Sequence, residues 1–211
     1  MAHDSLPFFR TFHALRIKGF AKAETVAEVA DLPVSAVDEH LTDLQAREWA
    51  MFREARQLWQ LTPVGRDQHR VALAQDLAGA NASSANVGKK LRSPYESFLK
   101  LNEHFKSLCG AWQLKNGEPN DHSDASYDRG VVQQLAGLND KTRPVVTTMG
   151  EVLGRLAPYA PRLAATCTRV TNGETTMFTG VMCGSYHDVW MELHEDLILT
   201  LGIDRAAEGS F

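Results

Sequence analysis

Residues 20–66, FAKAETVAEVADLPVSAVDEHLTDLQAREWAMFREARQLWQLTPVGR, decide how this chain of 211 residues folds. From Glu24, the apolar positions Val26, Ala27, Val29 and Ala30 predict a short helix with one buried stripe. Pro33 stops it, because proline has no N–H and pushes Leu32 out of helical geometry. A second helix is predicted from Val34, with Val37, Leu41 and Leu44 at i, i+4 and i+7 on one face. Trp49 and Met51, then Leu58 to Leu61, read as two short strands around the polar tip Arg53-Glu54-Ala55-Arg56-Gln57. Thr62-Pro63 starts another helix, with a hydroxyl to cap it and a proline at its first position. Two short amphipathic helices joined by a tight turn make a helix-turn-helix, and the hairpin that follows is a wing.

Upstream of this stretch, FFRTFHALRIK at residues 8–18 predicts a first helix that turns Phe9, Phe12, Leu15 and Ile17 towards the same core. Beyond the wing, a helix from Pro63 to about Leu77 carries Val64, Val71, Leu73 and Leu77. The small, polar stretch GANASSANVGKKLRS reads as a connection. Ser93, Pro94 and Glu96 then form a capping-box pattern that opens a long helix, with the seam Phe98, Leu101, Phe105, Leu108 and Trp112. After a loop at Gly117–Asp124, helices are predicted over 125–138 and 141–156, then beyond Pro158 and Pro161 as far as Asn172. The last helix is predicted over 185–201, with Val189, Leu193, Leu197 and Leu201 at steps of four. Thr175–Met182 reads as a short extended stretch, and the terminal AAEGSF as frayed. The expected fold class is mainly α: an N-terminal winged helix (three-helix core plus β-hairpin wing) followed by a C-terminal helical domain. The expected domains are 1–79 and 94–211, joined by a linker over 80–93.

The run Trp59-Gln60-Leu61-Thr62-Pro63-Val64-Gly65-Arg66, preceded by Leu41 and Leu44, resembles the end of the wing in MarR-like bacterial transcriptional regulators. The resemblance covers roughly the first 75 residues. It implies a cytoplasmic, homodimeric, DNA-binding protein of the winged helix-turn-helix type. From about residue 93, NDHSDASYD and SYHDVWMELHEDL resemble a helical segment of actinobacterial regulator-like proteins. Similar segments lie beside phosphoenolpyruvate-utilising enzyme domains, but no motif for that catalysis is present here.

Composition sets bounds on these expectations. Hydrophobic residues at 44% and charged residues at 23% are ordinary for a globular protein. No apolar run reaches the length of a membrane span, and the amino terminus lacks an export signal. Cys109, Cys167 and Cys183 show no metal-ligand spacing and read as reduced, mostly buried thiols. The formal charge is −4, with 9 Lys plus Arg against 11 Asp plus Glu in residues 1–79. That balance lacks the basic excess with which a domain displaces counterions from DNA.

The expected DNA contacts are Ser35, Ala36, Glu39, His40, Thr42 and Arg47 on the second helix of the motif, with Arg53 and Arg56 on the wing. Asp38, Glu39 and Asp43 oppose phosphate binding on that same helix. The alternative is a winged helix used for protein contact, without DNA. In the C-terminal half, Phe98, Phe105, Trp112, Tyr186 and Trp190 are candidates for an effector pocket between helices, or else plain core. On the last helix, which also carries His187, His194 and Asp196, the carboxylates Asp188, Glu192 and Glu195 share a face that reads as solvated and acidic. A metal-binding or enzyme-associated protein using His122, His187 or His194 is the remaining alternative. No H-x-x-x-H or H-E-x-x-H pair supports it, and no cofactor, metal or catalytic residue is expected.

Overall fold

The computed structural model describes residues 2–83 and 86–204, excluding the side chain of Ser83. The chain is mainly helical with a small antiparallel sheet. It divides into two compact units. The first comprises residues up to Gly88, Gly150–Pro158 and Glu195 onward, and the second Lys89–Met149 and Tyr159–His194.

The first unit opens with α1 (Pro7–Lys18), followed by β1 (Phe20–Ala21), α2 (Ala23–Ala30) and α3 (Val34–Ala46). The hairpin strands β2 (Ala50–Arg53) and β3 (Leu58–Leu61) come next, then α4 (Pro63–Ser83). The expected helix α2 ends where Asp31 turns left-handed at φ 51°, and the Leu32 amide reaches back to the Ala27 carbonyl at 3.1 Å. Helix α3 closes in the same way. Glu48 takes φ 61°, and the Trp49 amide donates to the Leu44 carbonyl at 2.8 Å. Both ends follow the Schellman pattern, with an acidic residue where glycine is usual.

Strand β3 is central in the sheet order β1-β3-β2, a pairing of β1 that the sequence did not predict. Register Phe52↔Trp59 and Ala21↔Trp59 puts these three side chains on one face. The core beneath is Phe12, Leu15, Val26, Val37, Leu41, Leu44 and Leu61, with Trp49 and Trp59 packed against it.

Thr62-Pro63-Val64-Gly65 joins the hairpin to α4 and packs against the end of α3. The Thr62 hydroxyl donates to the Glu48 carbonyl at 2.7 Å and accepts from the Gly65 amide at 2.9 Å. It therefore ties the end of α3 to the start of α4. A Cβ on Gly65 would lie 1.8 Å from the Trp49 carbonyl oxygen, so this backbone approach needs glycine.

The elements that follow, and that supply the second unit over Lys89–Met149 and Tyr159–His194, are α5 (Val87–Gln113), the short hairpin β4 (Leu114–Lys115) and β5 (Glu118–Pro119), and α6 (Ala125–Val152). Then follow α7 (Tyr159–Thr171), the short α8 (Thr176–Thr179) and α9 (Tyr186–Leu201). Several boundaries differ from expectation. Helix α4 runs to Ser83 and α5 starts at Val87, so most of 80–93 is helical; residues 84 and 85 lie outside the described residues. Ser93 does not start a helix. Val87 and Leu91 are buried and extend the seam two turns upstream, leaving Pro94 inside the helix. Helix α6 is continuous through the break expected near residue 140, because Leu138, Thr142, Val146 and Met149 stay buried at helical spacing. Thr176–Thr179 is a helical turn rather than an extended stretch, with Met177 and Phe178 buried. The terminal AAEGSF lies outside the described residues.

Candidate functional site

Two arrangements in the first unit carry polar groups in unusual settings. The first is the surface formed by α3 and the hairpin. Because Val37, Leu41 and Leu44 face the core, Ser35, Asp38, Glu39 and Thr42 are left outward and exposed. A cleft of about 710 Å³ opens beside them. Lys22 and Glu24 from the start of α2, Asp38 and Gln45 from α3, and Phe52, Glu54, Gln57 and Trp59 from the hairpin line it. Its charged side chains are three carboxylates and one ammonium. Phe52 and Trp59 form its aromatic part, with ring centroids 5.2 Å apart.

The predicted contact residues do not form one available set. Ser35, Glu39, Arg53 and Arg56 are exposed, and Ala36 is half-buried. The Thr42 hydroxyl donates to the Asp38 carbonyl within its own helix at 2.8 Å. His40 is turned towards α1, where its Nδ1 lies 2.8 Å from the Thr11 hydroxyl and its ring meets Phe8 edge-on. Arg47 is held by Asp43, with Nε and Nη2 each donating at 2.9 Å. Its guanidinium also lies over the Phe8 and Trp49 rings, at 5.5 and 5.2 Å. The hydrogen bond from Arg47 lowers the pKa of Asp43, and the same bond raises that of Arg47. Between residues 22 and 57 the chain holds eight carboxylates against four cationic side chains, an excess equal to the formal −4 of the whole protein.

The second arrangement is a buried ionic network. On α1, His13 is 3% exposed; its Nε2 donates to Asp196 Oδ1 at 3.0 Å, and its Nδ1 lies 2.8 Å from Nε2 of His69 on α4. Asp196 also accepts from Arg155 Nη1 and from the Thr200 hydroxyl, the latter at 3.0 Å. Arg155, in the 3₁₀ turn Gly154–Leu156, donates through Nη2 to Thr200 at 2.8 Å and stands 3.8 Å from Asp76. Asp76 on α4 accepts from the Ser5 hydroxyl at 3.0 Å and pairs with His3 at 2.9 Å. At the edge, Arg16 donates to Glu195 at 3.1 Å.

Burial and neighbouring groups compete in this network. Burial is the largest influence on His13 and lowers its pKa, although Asp196 pulls the other way. Burial also pushes His69 down to about 2, helped by the neighbouring His13 and Arg16. Burial alone would raise Asp196, but Arg155 and His13 overcome it and hold that carboxyl below its ordinary value. Burial thus disfavours the protonated form of both imidazoles, which sit beside the Asp196 carboxyl and the Arg155 guanidinium.

The acidic face expected on α9 is not solvated. Asp196 is 2% and Glu192 is 5% exposed, and Glu192 accepts from Arg162 at 2.8 Å. Asp188 accepts from the amides of Met182, Cys183 and Gly184 at 2.8–3.2 Å. Cationic or amide donors lie on the sides where water was expected. The sequence signal for the network is polar residues at core-facing spacing: His69 and Asp76 in step with Leu73 and Ala80 on α4, and His13 four residues after Phe9.

In the second unit, Phe98, Phe105, Trp112, Tyr186 and Trp190 are each at most 5% exposed. Phe105 and Phe98 pack on Trp190 at 4.6 and 5.0 Å, and the Trp190 indole donates to Asn102 at 2.8 Å. These rings fill a core. His122 lies on Trp112 and pairs with Asp128 at 3.0 Å, whereas His187 and His194 pack on Phe105 and Phe98. No group of three His, Cys, Asp or Glu among the described residues is arranged to hold a metal ion. Asp124 caps α6, accepting from the Ser126 and Tyr127 amides at 3.0 Å. Cys183 is exposed, Cys167 buried and Cys109 half-buried. No described helix is long and apolar enough to cross a membrane.

No family model, curated protein or solved structure matches the chain.

Proposed function

We propose that the chain is a winged-helix regulatory module whose α3–hairpin surface recognises a cationic segment of a protein partner in preference to DNA. The observation that carries this reading is the charge of the cleft, where Glu24, Asp38 and Glu54 face Lys22 around Phe52 and Trp59. A DNA phosphate brought to this surface meets carboxylates, and Arg47 is already engaged by Asp43. A lysine- or arginine-bearing peptide meets complementary charge, and aromatic rings on which a cation or its aliphatic stem can lie. The winged-helix reading itself rests on the order helix, strand, two helices and hairpin, with β1 added beside β3.

The test is a pair of titrations at 50 mM salt, one with an arginine-rich peptide and one with mixed-sequence duplex DNA. Peptide binding at micromolar strength, weakened at least tenfold by Asp38→Asn plus Glu54→Gln, is the expected result. Salt-sensitive DNA binding that is lost in Arg53→Ala plus Arg56→Ala would overturn it.

One observation favours a second reading, DNA-binding transcriptional regulation by a homodimer. Arg53 and Arg56 stand exposed at the hairpin tip, where a wing meets the DNA backbone. That reading needs a second cationic contact to offset α3.

A further inference from the structure

We propose that the His13–His69 pair is an acid-sensitive latch that holds Glu195–Leu201 and the 150–158 segment against α1 and α4. The geometry supplies the switch. With Nε2 of His13 donating to Asp196, the neutral ring presents a lone pair at Nδ1, and His69 Nε2–H donates to it across 2.8 Å. A single added proton can be shared in this chain. A second leaves N–H groups facing each other with no acceptor between them, so the contact must break. The surrounding charges do not relieve it. Arg155 from the 3₁₀ turn already occupies Asp196, while Asp76 on α4 is taken up by Ser5 and His3. Arg16 on α1 is paired with Glu195 on α9. The stacked Phe9 ring, 5.3 Å from His13 and 6.1 Å from His69, offers no hydrogen bond and excludes water.

Because both imidazoles have pKa values below 6.5 when closed, any state that exposes them takes up protons as pH falls through 6.5. The open population therefore rises as pH drops. One unit below 6.5 it grows by about tenfold if His69 is released, and by up to about a hundredfold if His13 is released as well. Release at α1 bears on α3 as well. Thr11 and Phe8, on that same helix, contact His40 and Arg47.

Hydrogen exchange of the full chain, corrected for intrinsic rates, tests the latch between pH 7.5 and 5.5. Amide protection over Glu195–Leu201 is expected to fall ten- to a hundredfold in the wild type, with Leu163–Val170 unchanged as reference. His69→Gln keeps a donor towards His13 but cannot titrate, and should at least halve the logarithm of that fall. Protection that is constant with pH, or an equal fall in His69→Gln, would overturn the proposal. If His69→Gln does not fold, the imidazole C–H resonances of the wild type decide. Those of His69 should stay at neutral-ring positions to pH 5.5, whereas titration of both rings near 6.5 with protection intact would refute the latch.

Discussion

Asp43 holds Arg47 in a bidentate ion pair one helical turn away, with both N···O distances at 2.9 Å. Arg47 is the one cation among the expected contacts on α3, so this pairing removes the helix's main attraction for phosphate. Asp43→Asn is expected to release the guanidinium and raise low-salt affinity for duplex DNA above the wild type. The logarithmic salt dependence should steepen by about one unit, the value for one added phosphate contact. Filter-binding isotherms at several salt concentrations measure it, and an unchanged slope would show that Arg47 stays away from phosphate for another reason.

Gly65 is a point of contact rather than of flexibility. Gly65→Ala places a methyl group 1.8 Å from the Trp49 carbonyl oxygen, and neither partner is a flexible side chain. The loss should be about 3 kcal/mol by comparison with other overpacked sites, seen as a lower urea midpoint at constant slope. Thr62→Val, which removes a cap and a hydrogen bond to Glu48, should cost about 1–2 kcal/mol. Thr62→Ser should restore most of it.

Asp196→Asn keeps the side-chain shape and removes the charge that compensates the buried Arg155 guanidinium. Breaking a buried pair from one side typically costs about 3–5 kcal/mol. The held-down pKa of Asp196 gives this contribution a direction in pH. It is present above the ordinary carboxyl range and lost as pH falls through the folded value. The wild-type advantage over Asp196→Asn in denaturant melts should therefore be full at pH 7 and shrink towards pH 3, with an advantage independent of pH counting against the network.

The three thiols should react at separate rates. Cys183 is exposed, whereas burial raises Cys167 and pushes Cys109 up to about 12. Titration with a disulfide reagent at pH 8 should give one fast equivalent, lost in Cys183→Ser, and two more only on unfolding. Two fast equivalents would mean that α5 or α7 opens readily.

Local chemistry was legible along the chain. Pro33, Thr62-Pro63 and the spacing of Val37, Leu41 and Leu44 marked α2, α3, the hairpin and the start of α4, because turns, caps and apolar periodicity act over a few residues. The same local signals misled at Ser93-Pro94, where the buried Val87 and Leu91 carry the helix through a proline. Burial decided that boundary, and a short window cannot see it.

Nothing local distinguishes Asp196, which sits in a core, from an acidic residue on a wet helix face. Its neighbours His13 and Arg155 lie 183 and 41 residues away. The acidity of α3 was readable from composition, but the clamp on Arg47 and the joining of Glu24, Asp38 and Glu54 around Phe52 and Trp59 were not. Most helices, the hairpin and the sign of the exposed charge could be read along the chain, since these depend mainly on neighbours three or four residues apart. Which charges are buried and paired follows from the fold in three dimensions, because desolvation and ion pairing depend on groups that approach through space.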